Sequence, residues 1–263
     1  MDLDRLNAVA LITGAATGIG PAHARDIAGR AEGGLILVDS DEAALAALAD
    51  TIEASTAAPE RISTLAFDVG DPDRWAQAVE FVKAQYGRVD WALVQSVEAA
   101  SAEESDLVDW GRVMPTSLDG VLNSLRAVMP LMRGNFQGGA IVVSAPAASI
   151  KLDKSGAGFA QKAGLLHLIQ VAAQQAAPHP IRVNAIAQGA GDAPLWTALP
   201  SFQKLAQDAG GERAAFEKIA TLAPPIARYA ATDDITKLIV MLLSDDNPMT
   251  GATLVAEGGY TLS

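Results

Sequence analysis

The chain has 263 residues, half of them hydrophobic, and can bury a sizeable core, yet no run approaches the roughly 18 apolar residues of a membrane span. It has no cysteine, which excludes a disulfide framework and thiolate metal ligands, and its formal charge of −12 argues against polyanionic partners such as nucleic acid or anionic lipid. The start, Met1-Asp2-Leu3-Asp4-Arg5, is acidic, and the apolar Val9 to Ile12 is too short for a signal-peptide core, so a cytoplasmic chain without membrane contact is expected.

Apolar runs alternate with helical patterns along the whole chain. The expected strands are Val9 to Thr13, Leu35 to Asp39, Ser63 to Phe67, Trp91 to Gln95, Ala140 to Ser144, Ile181 to Ile186 and Thr253 to Ala256. Helices are expected at Ile19 to Arg30, Asp41 to Ala54, Asp73 to Tyr86, Val108 to Met132 and Phe159 to Ala177. The alternation predicts an α/β fold in which a doubly wound parallel sheet, covered on both faces, forms one domain over residues 1–263. Ser40-Asp41-Glu42 ahead of an Ala/Leu run reads as a helix cap with an acidic first turn. Gly156, Gly158 and Gly164 each cost about 1 kcal/mol inside a helix, so the helix carrying Lys162 is expected to begin near Phe159.

Thr13-Gly14-Ala15-Ala16-Thr17-Gly18-Ile19-Gly20 follows the first strand and opens the first helix. Glycines at such a turn let the backbone approach a pyrophosphate lying over the helix N-terminus. Nineteen residues after Gly20, Asp39 ends the second strand, where its carboxylate can accept from ribose hydroxyls and repel an extra phosphate. Both features also have a purely structural reading: the turn packs helix on strand, and Asp39 helps start the next helix.

Thr-Gly-x-x-x-Gly-x-Gly, the strand ending at Ser144, and Lys162 on the next helix together resemble the short-chain dehydrogenase/reductase family over nearly the whole chain. The resemblance implies a Rossmann-type fold and NAD rather than NADP, with Gly14, Thr17, Gly18, Ile19, Gly20 and Asp39 as cofactor contacts. It adds Asp68-Val69 as the place where the adenine ring is met. The family carries a Tyr four residues before its Lys and a Ser thirteen before that Tyr; here those positions are Gly158 and Ala145. Neither can donate or take a proton, so the resemblance implies a degenerate site with Lys162 alone retained. Ser144 is adjacent to Ala145 and is expected to point to the opposite side.

Other stations depart as well. Gln95-Ser96-Val97-Glu98 stands where the family has Asn-Asn-Ala-Gly, and Ser117 stands where it has a helix Asn. Gln188-Gly189 replaces Pro-Gly, and Ala193 replaces a Thr that touches the carboxamide. Two like charges at 4 Å repel by about 4 kcal/mol at an effective dielectric of 20, so Glu98 facing a cofactor phosphate weakens binding roughly a thousandfold. His23, His167 and His179 show no metal spacing and read as structural. Residues 192–221, with Trp196, Phe202 and Phe216, match the family's substrate lid and are expected to pack on themselves.

Some members of this family are heterotetramers in which one subunit has lost the Tyr and the cofactor contacts. The resemblance therefore implies a non-catalytic subunit that binds no cofactor tightly and assembles with an active homologue holding NAD. That homologue would oxidise a hydroxyacyl substrate, such as the 2-(hydroxybenzyl)succinyl-CoA handled by one such heterotetramer. Two alternatives remain: an active NAD-dependent alcohol dehydrogenase with unorthodox proton transfer, and a nucleotide-sensing regulator.

Overall fold

The computed structural model describes residues 7–56, 61–95, 118–147, 156–189, 200–222, 225–226 and 230–262. Its strands are β1 (Val9–Thr13), β2 (Gly34–Asp39), β3 (Ile62–Ala66), β4 (Trp91–Gln95), β5 (Gly139–Pro146), β6 (Ile181–Gln188) and β7 (Thr253–Ala256). All pair in parallel, in the order β3-β2-β1-β4-β5-β6-β7. The chain therefore walks outward from β1 to β3 and then returns to β4 on the other side of β1. In such a sheet the reversal opens a crevice at the strands' C-terminal ends. The expected doubly wound single domain is present.

The helices are α1 (Gly20–Ala28), α2 (Glu42–Glu53), α3 (Pro72–Gln85), α4 (Gly120–Met132), α5 (Gly156–Ala176), α6 (Pro200–Ala209), α7 (Glu212–Leu222) and α8 (Thr232–Leu243). On one face of the sheet α3, α4 and α5 bury Trp75, Val82, Leu125, Val128, Leu165 and Ile169 against Leu11, Val94, Ile141, Val143 and Ala145. On the other face α1, α2 and α8 bury Ile27, Leu45, Ile52, Ile235 and Ile239 against Ala10, Ile12, Leu93, Val142 and Ile186. Cover on both faces is why the central strands read as continuous apolar runs rather than alternating ones.

Asp41 caps α2 as expected, its side chain accepting from the Ala44 N–H at 2.9 Å. One boundary differs in a way that matters to the site. The helix bearing Lys162 begins at Gly156, three residues before Phe159, so Gly158 lies on it. Extending an existing helix adds a hydrogen bond per residue fixed, and the nucleus is already held by Leu165, Ile169, Ala172 and Ala176 in the core, which offsets the glycine penalty. The strands β5 and β6 run two residues further than expected, to Pro146 and Gln188. Helices α6, α7 and α8 were not anticipated. Of the helix expected from Val108, residues 108–117 lie outside the described residues. No helix among the described residues is long and apolar enough to cross a membrane.

Candidate functional site

The glycine turn occupies the C-terminal end of β1 beside the reversal. Gly20 has a packing reason to be glycine: a Cβ there would lie 2.0 Å from the Gly14 carbonyl oxygen. Gly18 is different. It has φ +58°, and a Cβ built on it meets nothing within 4 Å, so open space lies over the turn where α1 presents its first N–H groups. That cradle fits a pyrophosphate, with Gly14, Thr17, Gly18, Ile19 and Gly20 as the residues that would hold it. A nicotinamide dinucleotide bound there would supply a hydride-accepting ring.

Asp39 is 4% exposed, and its carboxylate is already at work. Oδ2 accepts from the Ala16 N–H at 2.9 Å and the Thr17 hydroxyl at 3.2 Å, while Oδ1 accepts from the Asp41 N–H at 3.2 Å. It fixes the turn and starts α2, so the structural reading of this residue is realised. A carboxylate has about four acceptor sites, which leaves capacity for a ribose hydroxyl. At the end of β3, Asp68 is exposed and accepts from the Gly70 N–H at 2.8 Å. Its neighbour Val69 is buried, its carbonyl accepting from Trp75 Nε1 at 2.9 Å, with its side chain against Gly120 at the start of α4.

Gln95 ends β4 and reaches back to the turn. Its Nε2 donates to the Thr13 carbonyl at 3.1 Å and the Gly14 carbonyl at 2.8 Å, and its own N–H donates to Thr13 Oγ1 at 3.0 Å. The sequence marked this position only as a departure from Asn-Asn-Ala-Gly; its hold on the turn was missed.

Ala145 is 1% exposed and belongs to the face covered by α5. Ser144, one residue earlier, points to the other face, as the alternation of side chains requires. There its hydroxyl accepts from Gln188 Nε2 at 2.8 Å. The other end of that amide, Gln188 Oε1, is buried with no hydrogen-bond partner. The strands thus bring Ser144 to Gln188 and hold it away from the helix that carries Lys162. Gly158 and Lys162 are placed by their backbone on α5, their side chains lying outside the described atoms. Glu98, Ser117, Ala193 and Trp196 lie outside the described residues.

In the expected lid, Phe202 of α6 is buried and its ring lies 4.4 Å from that of Phe216 on α7, centroid to centroid, so these two aromatics do pack on each other. His23 is buried, with Nδ1 2.8 Å from Thr236 Oγ1, and His167 is exposed on α5. No group of metal-ligating side chains exists among the described residues.

Comparison with known proteins agrees with this geometry. A family model described as enoyl-(acyl carrier protein) reductase matches residues 14–261. The trans-4-hydroxycyclohexanecarboxylate dehydrogenase of Sinomonas cyclohexanicum is 30% identical over 261 residues, covering 96% of this chain and 92% of that one. The D-threitol dehydrogenase of Mycolicibacterium smegmatis is 34% identical over 259 residues, covering 97% and 93%. Among solved structures, L-sorbose reductase from Gluconobacter frateurii, complexed with NADPH and L-sorbose, superposes with a TM-score of 0.85 at 26% identity over 100% of both chains. Levodione reductase gives a TM-score of 0.80 at 27% identity over 98% of each. A glycine turn at the sheet's reversal, an acidic residue ending β2 and full-length likeness to these oxidoreductases have one common meaning: the chain belongs to the short-chain dehydrogenase/reductase family.

Proposed function

We propose that this chain is a non-catalytic subunit of a heteromeric short-chain dehydrogenase, one that supports an active homologue and takes up a nicotinamide dinucleotide only weakly by itself. The observation that carries the reading is the pair Ala145 and Gly158. At the two positions where the family places its proton-transferring hydroxyls, this chain has a methyl group and a hydrogen. A positioned acid–base group contributes typically 10²–10⁴-fold, and groups acting as a unit are lost together. Ser144 supports the reading, because its hydroxyl is engaged by Gln188 on the face away from α5. The partner holds NAD and oxidises a hydroxyacyl substrate, with 2-(hydroxybenzyl)succinyl-CoA as the model. Assembly is heterotetrameric, through α4, α5 and the β7 edge, where Val255 stands exposed on the strand and Leu262 on the short turn after it.

The test is co-expression of this chain with an intact Tyr-x-x-x-Lys homologue encoded beside it, followed by mass measurement and assay. A stable mixed tetramer whose turnover survives Lys162→Ala in this chain is the expected result. Turnover by this chain alone, abolished by Lys162→Ala, would overturn the reading in favour of an active enzyme, as the names of the relatives suggest. In the same assay, Ala145→Ser with Gly158→Tyr restores both hydroxyls and is expected to raise NAD-dependent oxidation by this chain above background.

A further inference from the structure

His23 is a buried titratable group that the proposed function leaves unused, and it stands between two helices. It lies in the first turn of α1, wholly shielded from solvent, with Nδ1 2.8 Å from Thr236 Oγ1 on α8. The Thr236 hydroxyl donates to the Thr232 carbonyl at 2.9 Å, so it accepts from the imidazole. The other nitrogen, Nε2, is buried with no hydrogen-bond partner. A neutral ring tolerates that lone pair, whereas an imidazolium in the same place buries a charge and a second N–H without an acceptor. Beside this contact a hollow of about 450 Å³ opens between α1 and α8, with Thr236 in its wall.

The charged groups around the imidazole give a released ring a place to go. From α1, Asp26 and Arg30 line the hollow, Arg30 Nε donating to Asp26 Oδ2 at 3.0 Å; from α8, Asp233 and Lys237 line it. The sheet beneath brings Ala10 and Ile12 and, at the end of β2, the Asp39 carboxylate, which is committed to Ala16, Thr17 and Asp41. Helix α2 sends Leu45 and Leu48 into the same core and leaves Glu42 and Asp50 exposed. An imidazolium is therefore stabilised by swinging into the hollow toward Asp26 and Asp233, a movement that breaks the bond joining the two helices. His23 is also tied to the glycine turn. Its N–H donates to the Ile19 carbonyl at 3.4 Å, and the Gly20 N–H donates to the Thr17 carbonyl at 3.0 Å.

We infer that His23 and Thr236 form an acid-released latch between α1 and α8, whose opening disorders the glycine turn while the sheet stays folded. Local openings of this kind cost less than global unfolding. The latch acts on the turn whether or not a pyrophosphate lies there, so it stands apart from the function proposed above.

The test is amide hydrogen exchange of the whole wild-type chain at pH 7 and pH 5, corrected for intrinsic rates. Helix α1 with Gly18 and Ile19, and helix α8, are compared with α3 on the opposite face of the sheet. A released imidazole at its ordinary 6.5 takes up a proton that the latched one, held at about 4 by burial, refuses. Opening is expected to become about twentyfold more frequent at pH 5 in α1, its turn and α8, with little change in α3. His23→Asn keeps a donor for Thr236 but takes up no proton, and should abolish the step. Thr236→Val removes the acceptor and should raise exchange in α1 and α8 already at pH 7. A wild-type rise of equal size in α3 would mean that His23 acts only through global unfolding and would overturn the latch. A flat profile in α1 and α8 would overturn it too, and both outcomes are read on the wild-type chain, with no variant needing to fold. A local rise that persists in His23→Asn counts against it equally.

Discussion

His23 gives the fold a pH dependence whose sign and size follow from its surroundings. It is fully buried in α1, with Nδ1 2.8 Å from Thr236 Oγ1. The Thr236 hydroxyl donates to the Thr232 carbonyl at 2.9 Å and therefore accepts from the imidazole, which fixes the proton on Nδ1 and leaves Nε2 buried without a partner. Burial lowers the pKa from 6.5 to about 4, against the opposing charge of Asp26. Between these values the unfolded chain takes up a proton that the folded chain refuses, so the contribution is complete above the unfolded value and is lost as pH falls toward 4. The whole gap corresponds to about 3 kcal/mol, of which roughly a third to a half is gone by pH 5.5. Urea unfolding of the wild-type chain and His23→Asn from pH 8 down to pH 5.5 checks this, because subtraction removes the titration of the carboxylates. The wild-type advantage should shrink by about 1 kcal/mol over that range. A constant difference, or a native imidazole that titrates at its ordinary value by NMR, would refute the reasoning.

Gly20→Ala drives a Cβ to 2.0 Å from the Gly14 carbonyl oxygen and should lower stability by about 3 kcal/mol, whereas Gly18→Ala meets no atom and should cost only about 1 kcal/mol of left-handed backbone strain, both read by urea unfolding. Arg182 donates to the carbonyls of Leu242, Leu243 and Ser244 at 2.7, 3.3 and 2.7 Å and so closes the end of α8. Arg182→Met should cost about 2 kcal/mol and speed amide exchange first in α8; uniform exchange across the sheet would count against that assignment.

The fold was legible because β1, β2, β4, β5 and β6 are buried on both faces and announce themselves as apolar runs between helical patterns. The glycine turn was legible for the same local reason, its motif being contiguous in the chain. The start of α5 was not, since propensity at Gly156 and Gly158 opposes the helix and only core packing further along outweighs it. Helix α8 carried its own signal in Ile235, Ile239, Leu242 and Leu243 at helical spacing behind Asp233 and Asp234. The polar lining of the crevice was beyond reach. Gln95 meets Thr13 across 82 residues and Gln188 meets Ser144 across 44, and nothing local records a hydrogen bond made only once parallel strands align. Sequence could say that both positions had changed, but not what the new amides would hold.

The Asp39 carboxylate joins two tasks that engineers usually treat as separate. Under the proposed function, exchanging it for a neutral or basic side chain to admit a 2′-phosphate would also release the Ala16 amide and the Thr17 hydroxyl and slacken the glycine turn. On that reading nucleotide preference and turn rigidity are coupled, and a variant altered at Asp39 alone should lose order at the turn before it gains a new selectivity.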